Sequence, residues 1–194
     1  MILSNWLSDN YIEIFGAVTG IIYVFLEIRQ TIWLWPVGIV TSAVYIWVFF
    51  TSKFYADMSL QGYYLVISIL GWYWWVRGTG EKKELLVTRL KFRTGMILAV
   101  VFVLLHGIMW FVLSRFTDSP VPVWDAFITS LSIVATWMLA RKIYEHWFLW
   151  IVVNFVSVAL FLVKGLYPTV ILYIVYGVMS FAGLAAWKKT ITRI

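Results

Sequence analysis

Seven long apolar runs alternate with short polar or basic stretches along the chain. They fall near residues 11–28, 32–50, 56–76, 95–114, 123–140, 147–164 and 168–187. A helix needs about 20 apolar residues to cross a hydrocarbon core of about 30 Å. Several runs are short for that span, and Trp and Tyr at their ends extend the reach into the interface. The pattern predicts an all-α membrane protein with seven transmembrane helices. Connections are very short except for one, the basic stretch 77–94.

The third run carries a polar stripe. Gln61, Tyr64, Ser68, Trp72 and Trp75 are separated by three, four, four and three residues, so they share one helix face. A face turned to lipid has no use for an amide, a phenol and a hydroxyl, because unpaired polar groups cost several kcal/mol (about 2–7) in hydrocarbon. A helix lining a substrate path does use them.

The chain also repeats itself. Glu13 and Asp125 stand 112 residues apart, and at the same offset Arg29 meets Arg141, Trp35 meets Trp147 and Tyr55 meets Tyr167. Tyr64 meets Tyr176, Ser68 meets Ser180, Gly71 meets Gly183 and Trp75 meets Trp187. Helices one to three and five to seven therefore read as two copies of one unit. Adjacent three-helix copies would insert upside down relative to each other. The fourth helix restores the direction, giving parallel repeats in a 3+1+3 order. The expected divisions are a first bundle at 11–76, a basic cytoplasmic loop at 77–94, a linker helix at 95–114 and a second bundle at 123–188. The stripe is duplicated as Tyr173, Tyr176, Ser180, Leu184 and Trp187, and both faces are expected to turn toward a central path.

Charge orients the chain. If 77–94 is cytoplasmic, the inner side holds 12 of the 15 Lys and Arg residues and the outer side holds only Lys53, Arg115 and Lys164. This predicts an outer N-terminus and an inner C-terminus. The net charge of +6 is then a topology signal, with an anionic lipid surface or nucleic acid as weaker alternatives; no nucleic-acid partner is expected. No Lys or Arg precedes the first apolar run, so a cleaved signal peptide is not expected.

Composition removes several chemistries. The chain is 63% hydrophobic and 12% charged, which excludes an ordinary soluble domain. It has no Cys, two His and nine acids, so neither a disulfide framework nor a metal site is expected. No phosphate-binding G-x-x-x-x-G-K-[ST] motif occurs, no nucleophile–base pair stands out and no acid sits at mid-depth. No cofactor and no enzymatic activity are expected.

Candidate binding residues follow. Asn154, near the middle of the sixth helix, needs a partner, either a neighbouring helix or an amide-bearing ligand. Trp72, Trp75 and Trp187 lie toward inner helix ends, where they are either an interfacial belt or a sandwich for a flat cationic ring. Gln61 and Trp75 are about 21 Å apart along a helix axis, so they cannot grip one end of a small ligand. Glu13 and Asp125 start equivalent helices, where they either complement helix N-termini or form an acidic outer mouth. His106 in the fourth helix reads as packing rather than as a proton relay, and Glu27 as a local partner of Arg29.

Four segments resemble the PnuC vitamin transporters: G-W-Y-W-W at 71–75, W-I-V-V-N-F-V-S at 150–157, W-D-A-F at 124–127 and K-G-L-Y-P-T at 164–169. The resemblance covers essentially the whole chain. It implies a full-length relative of the SWEET sugar transporters, two three-helix bundles joined by an inversion helix, assembled as a homotrimer in the inner membrane. It implies facilitated diffusion of an unphosphorylated vitamin, trapped inside by a cytoplasmic kinase. The best-known family substrate is nicotinamide riboside, a flat pyridinium cation with a carboxamide and a ribose; thiamine, riboflavin and a sugar are the alternatives. The W-x-x-W element read here is Trp72 and Trp75. Carried over residue by residue, the resemblance implies binding by Gln61, Trp72, Trp75 and Asn154, with Tyr64, Ser68, Tyr176 and Trp187 beside them. Ser68 departs from the amide expected there in some members. A membrane protein that transports nothing, with a purely structural stripe, is the reading from another class.

Overall fold

The structure is a computed structural model that describes residues 11–51, 55–78, 85–163 and 165–191. The side chains of Glu13, Lys53, Lys82, Lys83, Lys164 and Arg193 lie outside what is described. Seven helices occur among the described residues: α1 Tyr11–Ile28, α2 Leu34–Thr51, α3 Tyr55–Arg77, α4 Phe92–Phe116, α5 Pro122–Ala140, α6 His146–Val163 and α7 Tyr167–Lys188. Five of them, α2 and α4 to α7, are long and apolar enough to cross a membrane. α1 is shorter in its apolar part, and α3 is diluted by its polar stripe. This is a multi-pass membrane protein.

The chain resolves into two compact units, 1–73 and 74–194, and the boundary falls within α3. In the first unit α1 packs on α2. In the second, α4 packs on α5, α5 on α6 and α6 on α7. α4 is 25 residues long, apolar through its middle, and buries none of its residues. An apolar helix exposed on every turn is stable only in a nonaqueous surround.

Corresponding elements share their backbone detail. α2 and α6 begin and end 112 residues apart, as do the ends of α1 and α5 and the starts of α3 and α7. Gln30 and Lys142, also 112 apart, are the two described non-glycine residues with positive φ, at 54° and 50°. Each closes the helix before it in the same way. The Gln30 and Lys142 amides donate to Glu27 and Leu139, at 3.0 and 2.8 Å, and the next amides donate to Leu26 and Met138, at 3.1 and 2.9 Å. That is a Schellman closure, which satisfies carbonyls the helix end would otherwise leave open.

A close approach also recurs. A Cβ on Gly71 would overlap the Trp35 ring, and one on Gly183 would overlap the Trp147 ring. Both indoles are fully buried. Helices in lipid gain no hydrophobic drive from pairing, so such tight van der Waals contact at a glycine is what holds them together.

The basic stretch before α4 is more than a topology signal. Residues 85–91 run as a strap against the turn between α5 and α6. Thr88 donates its amide to Lys142 O (3.0 Å) and accepts from the Tyr144 amide (2.9 Å), forming a parallel bridge with Ile143. The Leu90 amide donates to the Glu145 carboxylate at 2.7 Å. Leu90, with Leu98 and Phe102 of α4, packs on a core of Val134, Met138 and Ile143. Glu145→Ala is expected to lower stability by about 1–3 kcal/mol, because the amide loses a charged acceptor. Thermal unfolding in detergent measures it, and a variant as stable as the parent would show that the strap does not rest on this bond.

Candidate functional site

In the first unit the polar stripe meets two other helices. Ser68 of α3 lies against Gly38 of α2, where its Oγ would stand 2.8 Å from an added Cβ, and Tyr23 of α1 closes the same spot. Ser42 and Ser68 are buried, while Gln61 and Tyr64 are half-buried. The Tyr63 and Tyr64 rings are tilted against each other at 5.5 Å. Trp72 is 41% exposed, an indole with an accessible face.

Trp75 and Trp187 have a different environment from Trp72. They are 6% and 0% exposed, so neither is a belt residue at an interface. The Trp75 indole donates to Ala140 O at 3.2 Å, and the Lys142 ammonium sits 4.2 Å from its ring centroid. Trp187 packs edge-on to His146 at 4.7 Å and to Trp147 at 5.9 Å. Lys142, one of the 12 cations assigned to the inner side by the charge pattern, is a buried cation–π partner. Arg141 extends over Trp74 at 4.8 Å. These residues lock the end of α3 to the α5–α6 turn.

The buried polar face of the second unit lies where α6 meets α7. Asn154 is 5% exposed, and its Nδ2 donates to Ser180 Oγ at 3.0 Å. Ser180 in turn donates to the Tyr176 carbonyl at 2.8 Å. At Gly177 of α7 an added Cβ would stand 3.9 Å from Asn154 Cβ, an ordinary van der Waals contact. Ser157, one turn further along α6, is fully buried. Tyr173 and Tyr176 meet edge-on at 5.7 Å.

Sequence reading missed part of this face. Trp147, Trp150, Asn154 and Ser157 are spaced three, four and three residues apart on α6. The Trp147 and Trp150 indole nitrogens are buried with no hydrogen-bond partner among the described residues. The spacing could have shown the stripe, but with apolar residues on every side of α6 only Asn154 marked that face as the inner one.

Asp125 stands in the first turn of α5, where its charge complements the helix N-terminus, and accepts from the Ser119 hydroxyl at 2.5 Å. The side chain of Glu13 is outside the described residues. His106 stacks on Phe102 and meets Phe127 edge-on, inside an aromatic packing layer. No group of three or more metal-ligating side chains occurs among the described residues.

A family model described as Nicotinamide mononucleotide transporter matches residues 10–189. The chain belongs to this family, the PnuC transporters. The nicotinamide riboside transporter PnuC of Escherichia coli is 26% identical over 203 residues, covering 92% of this chain and 85% of the relative. The riboflavin/roseoflavin transporter RibM of Streptomyces davaonensis is 27% identical over 199 residues, covering 94% of this chain and 92% of the relative. The crystal structure of the vitamin B3 transporter PnuC has the same fold with a TM-score of 0.74, at 24% identity, covering 97% of this chain and 85% of that one. PnuC relatives with different named substrates are thus equally distant from this chain, so identity does not choose between them.

Proposed function

We propose that this chain is an inner-membrane uniporter for nicotinamide riboside. The observation that carries the reading is the α6–α7 face: a buried amide held on one side, with buried indole N–H groups along the same helix face. Such a face suits a flat ring bearing a carboxamide. In the second unit Asn154 is read as the carboxamide contact, Trp150 as an aromatic surface and Tyr176 as a hydroxyl contact; in the first unit Trp72 is read as an aromatic surface and Gln61, Tyr64 and Ser68 as amide and hydroxyl contacts. Trp75 and Trp187 are read as supports for the site. Asp125 and Glu13 mark the outer ends of α5 and α1.

Transport is read as facilitated diffusion. The nucleoside becomes trapped when a cytoplasmic kinase phosphorylates it, because the phosphate adds charge. The two-copy repeat is supported by the shared helix bounds, the paired closures at Gln30 and Lys142 and the paired Trp–Gly contacts; the 3+1+3 order with seven spans belongs to the same reading, and an outer N-terminus with an inner C-terminus rests on the distribution of Lys and Arg. Assembly as a homotrimer belongs to the same reading.

Calorimetric titration of the purified protein in detergent with nicotinamide riboside, thiamine, riboflavin and a simple sugar tests it. Nicotinamide riboside is expected to bind tightest, and Trp72→Ala to weaken it by about 1–2 kcal/mol through loss of a cation–π face. Tight riboflavin binding alone would move the chain to the reading that its similarity to RibM favours. Tight thiamine binding alone would keep the site and change the cation. Liposomes containing only the protein are expected to equilibrate the vitamin and to accumulate it only with kinase and ATP inside. Accumulation without them would sink facilitated diffusion.

A further inference from the structure

We propose that Ser180 is a positioning residue that decides which atom of the Asn154 amide meets the ligand. The inference rests on the reading of Asn154 as the carboxamide contact. An asparagine can turn its amide over at little cost unless its surroundings distinguish oxygen from nitrogen. Here they do. The Ser180 proton is engaged by the Tyr176 carbonyl at 2.8 Å, which leaves Oγ to accept, and Asn154 Nδ2 donates to it at 3.0 Å. Turning the amide over would set Oδ1 against Oγ. The hydroxyl would then have to abandon the Tyr176 carbonyl, so only one orientation keeps both bonds.

That orientation has a chemical consequence. Asn154 presents Oδ1 and its second N–H, an acceptor beside a donor, and Oδ1 takes no hydrogen bond among the described residues. A primary carboxamide answers with a donor and an acceptor. A carboxylate has only acceptors, and its charge would lie against Oδ1. Ser180 therefore makes the α6–α7 face select the carboxamide form of a pyridine nucleoside over its carboxylate form. Hydrogen bonding and charge at this one position set the preference, because the two ligands share ring, ribose and size. The corresponding pair in the first unit is Ser42 and Ser68, which offers no amide to orient.

The test is the ratio of affinities for nicotinamide riboside and nicotinic acid riboside, titrated against the purified full chain in detergent. The parent protein is expected to favour the carboxamide by at least about tenfold, the value of one hydrogen bond. Ser180→Ala frees the amide, and the ratio is expected to fall about tenfold with folding intact by thermal melt. Asn154→Ala is expected to abolish the preference, and adding Ser180→Ala to it is expected to change the ratio no further. Equal affinities in the parent would overturn the inference, as would an unchanged ratio in Ser180→Ala. A ratio that collapses in Asn154→Ala but not in Ser180→Ala overturns this inference alone. Unchanged affinity for both ligands in Asn154→Ala, or binding of neither ligand by the parent, overturns the proposed function and this inference with it.

Discussion

Gly183→Ala is expected to destabilise the second unit by about 3 kcal/mol, at the upper end of ordinary overpacking. The added methyl would occupy space already filled by the Trp147 ring. That ring cannot swing aside, because it is fully buried and packed edge-on against Trp187. α7 would have to back away from α6, and the Asn154–Ser180 bond on the same helix pair would lengthen with it. Thermal unfolding in detergent is the readout. Trp147→Phe combined with Gly183→Ala is expected to recover part of the loss, since the smaller ring makes room and contacting sites do not add. A Gly183→Ala variant within about 0.5 kcal/mol of the parent, the usual size of a neutral change, would mean that the helices separate freely here. Gly71→Ala, which meets Trp35 in the first unit, is expected to behave alike.

Much of the architecture was legible because it rests on local patterns. Apolar run lengths located all seven helices, and the offset of 112 anticipated which helix bounds correspond. Which face of each helix turns inward was less legible. In a soluble helix the polar side marks solvent, but here every side is apolar, so spacing tells only which residues share a face. Trp72 and Trp75 share one in the sequence, yet the first is exposed and the second is locked to Ala140 and Lys142. The α6 stripe from Trp147 to Ser157 has the same regular spacing as the α3 stripe. It drew less notice because only Asn154 is conspicuously polar. The strap at 85–91 was hidden for another reason. Its charges signalled topology, while its structure depends on backbone groups of Thr88 and Leu90 that carry no side-chain signature.

Asn154→Ala is expected to weaken nicotinamide riboside binding by about 3 kcal/mol, roughly 150-fold, while costing the fold only about 1 kcal/mol. The two effects differ because the partners left behind differ. In the free protein Ser180 loses one donor but keeps its bond to the Tyr176 carbonyl, so no buried group is stranded. In the complex the ligand carboxamide would be enclosed with neither its donor nor its acceptor answered, which carries the full desolvation penalty. Uptake at low substrate concentration is therefore expected to fall about as far as affinity, and to recover in part at high concentration. A variant that binds normally and melts several degrees lower would reverse this order. Asn154 would then be a helix–helix contact, and the α6–α7 face would hold the bundle together without recognising the vitamin.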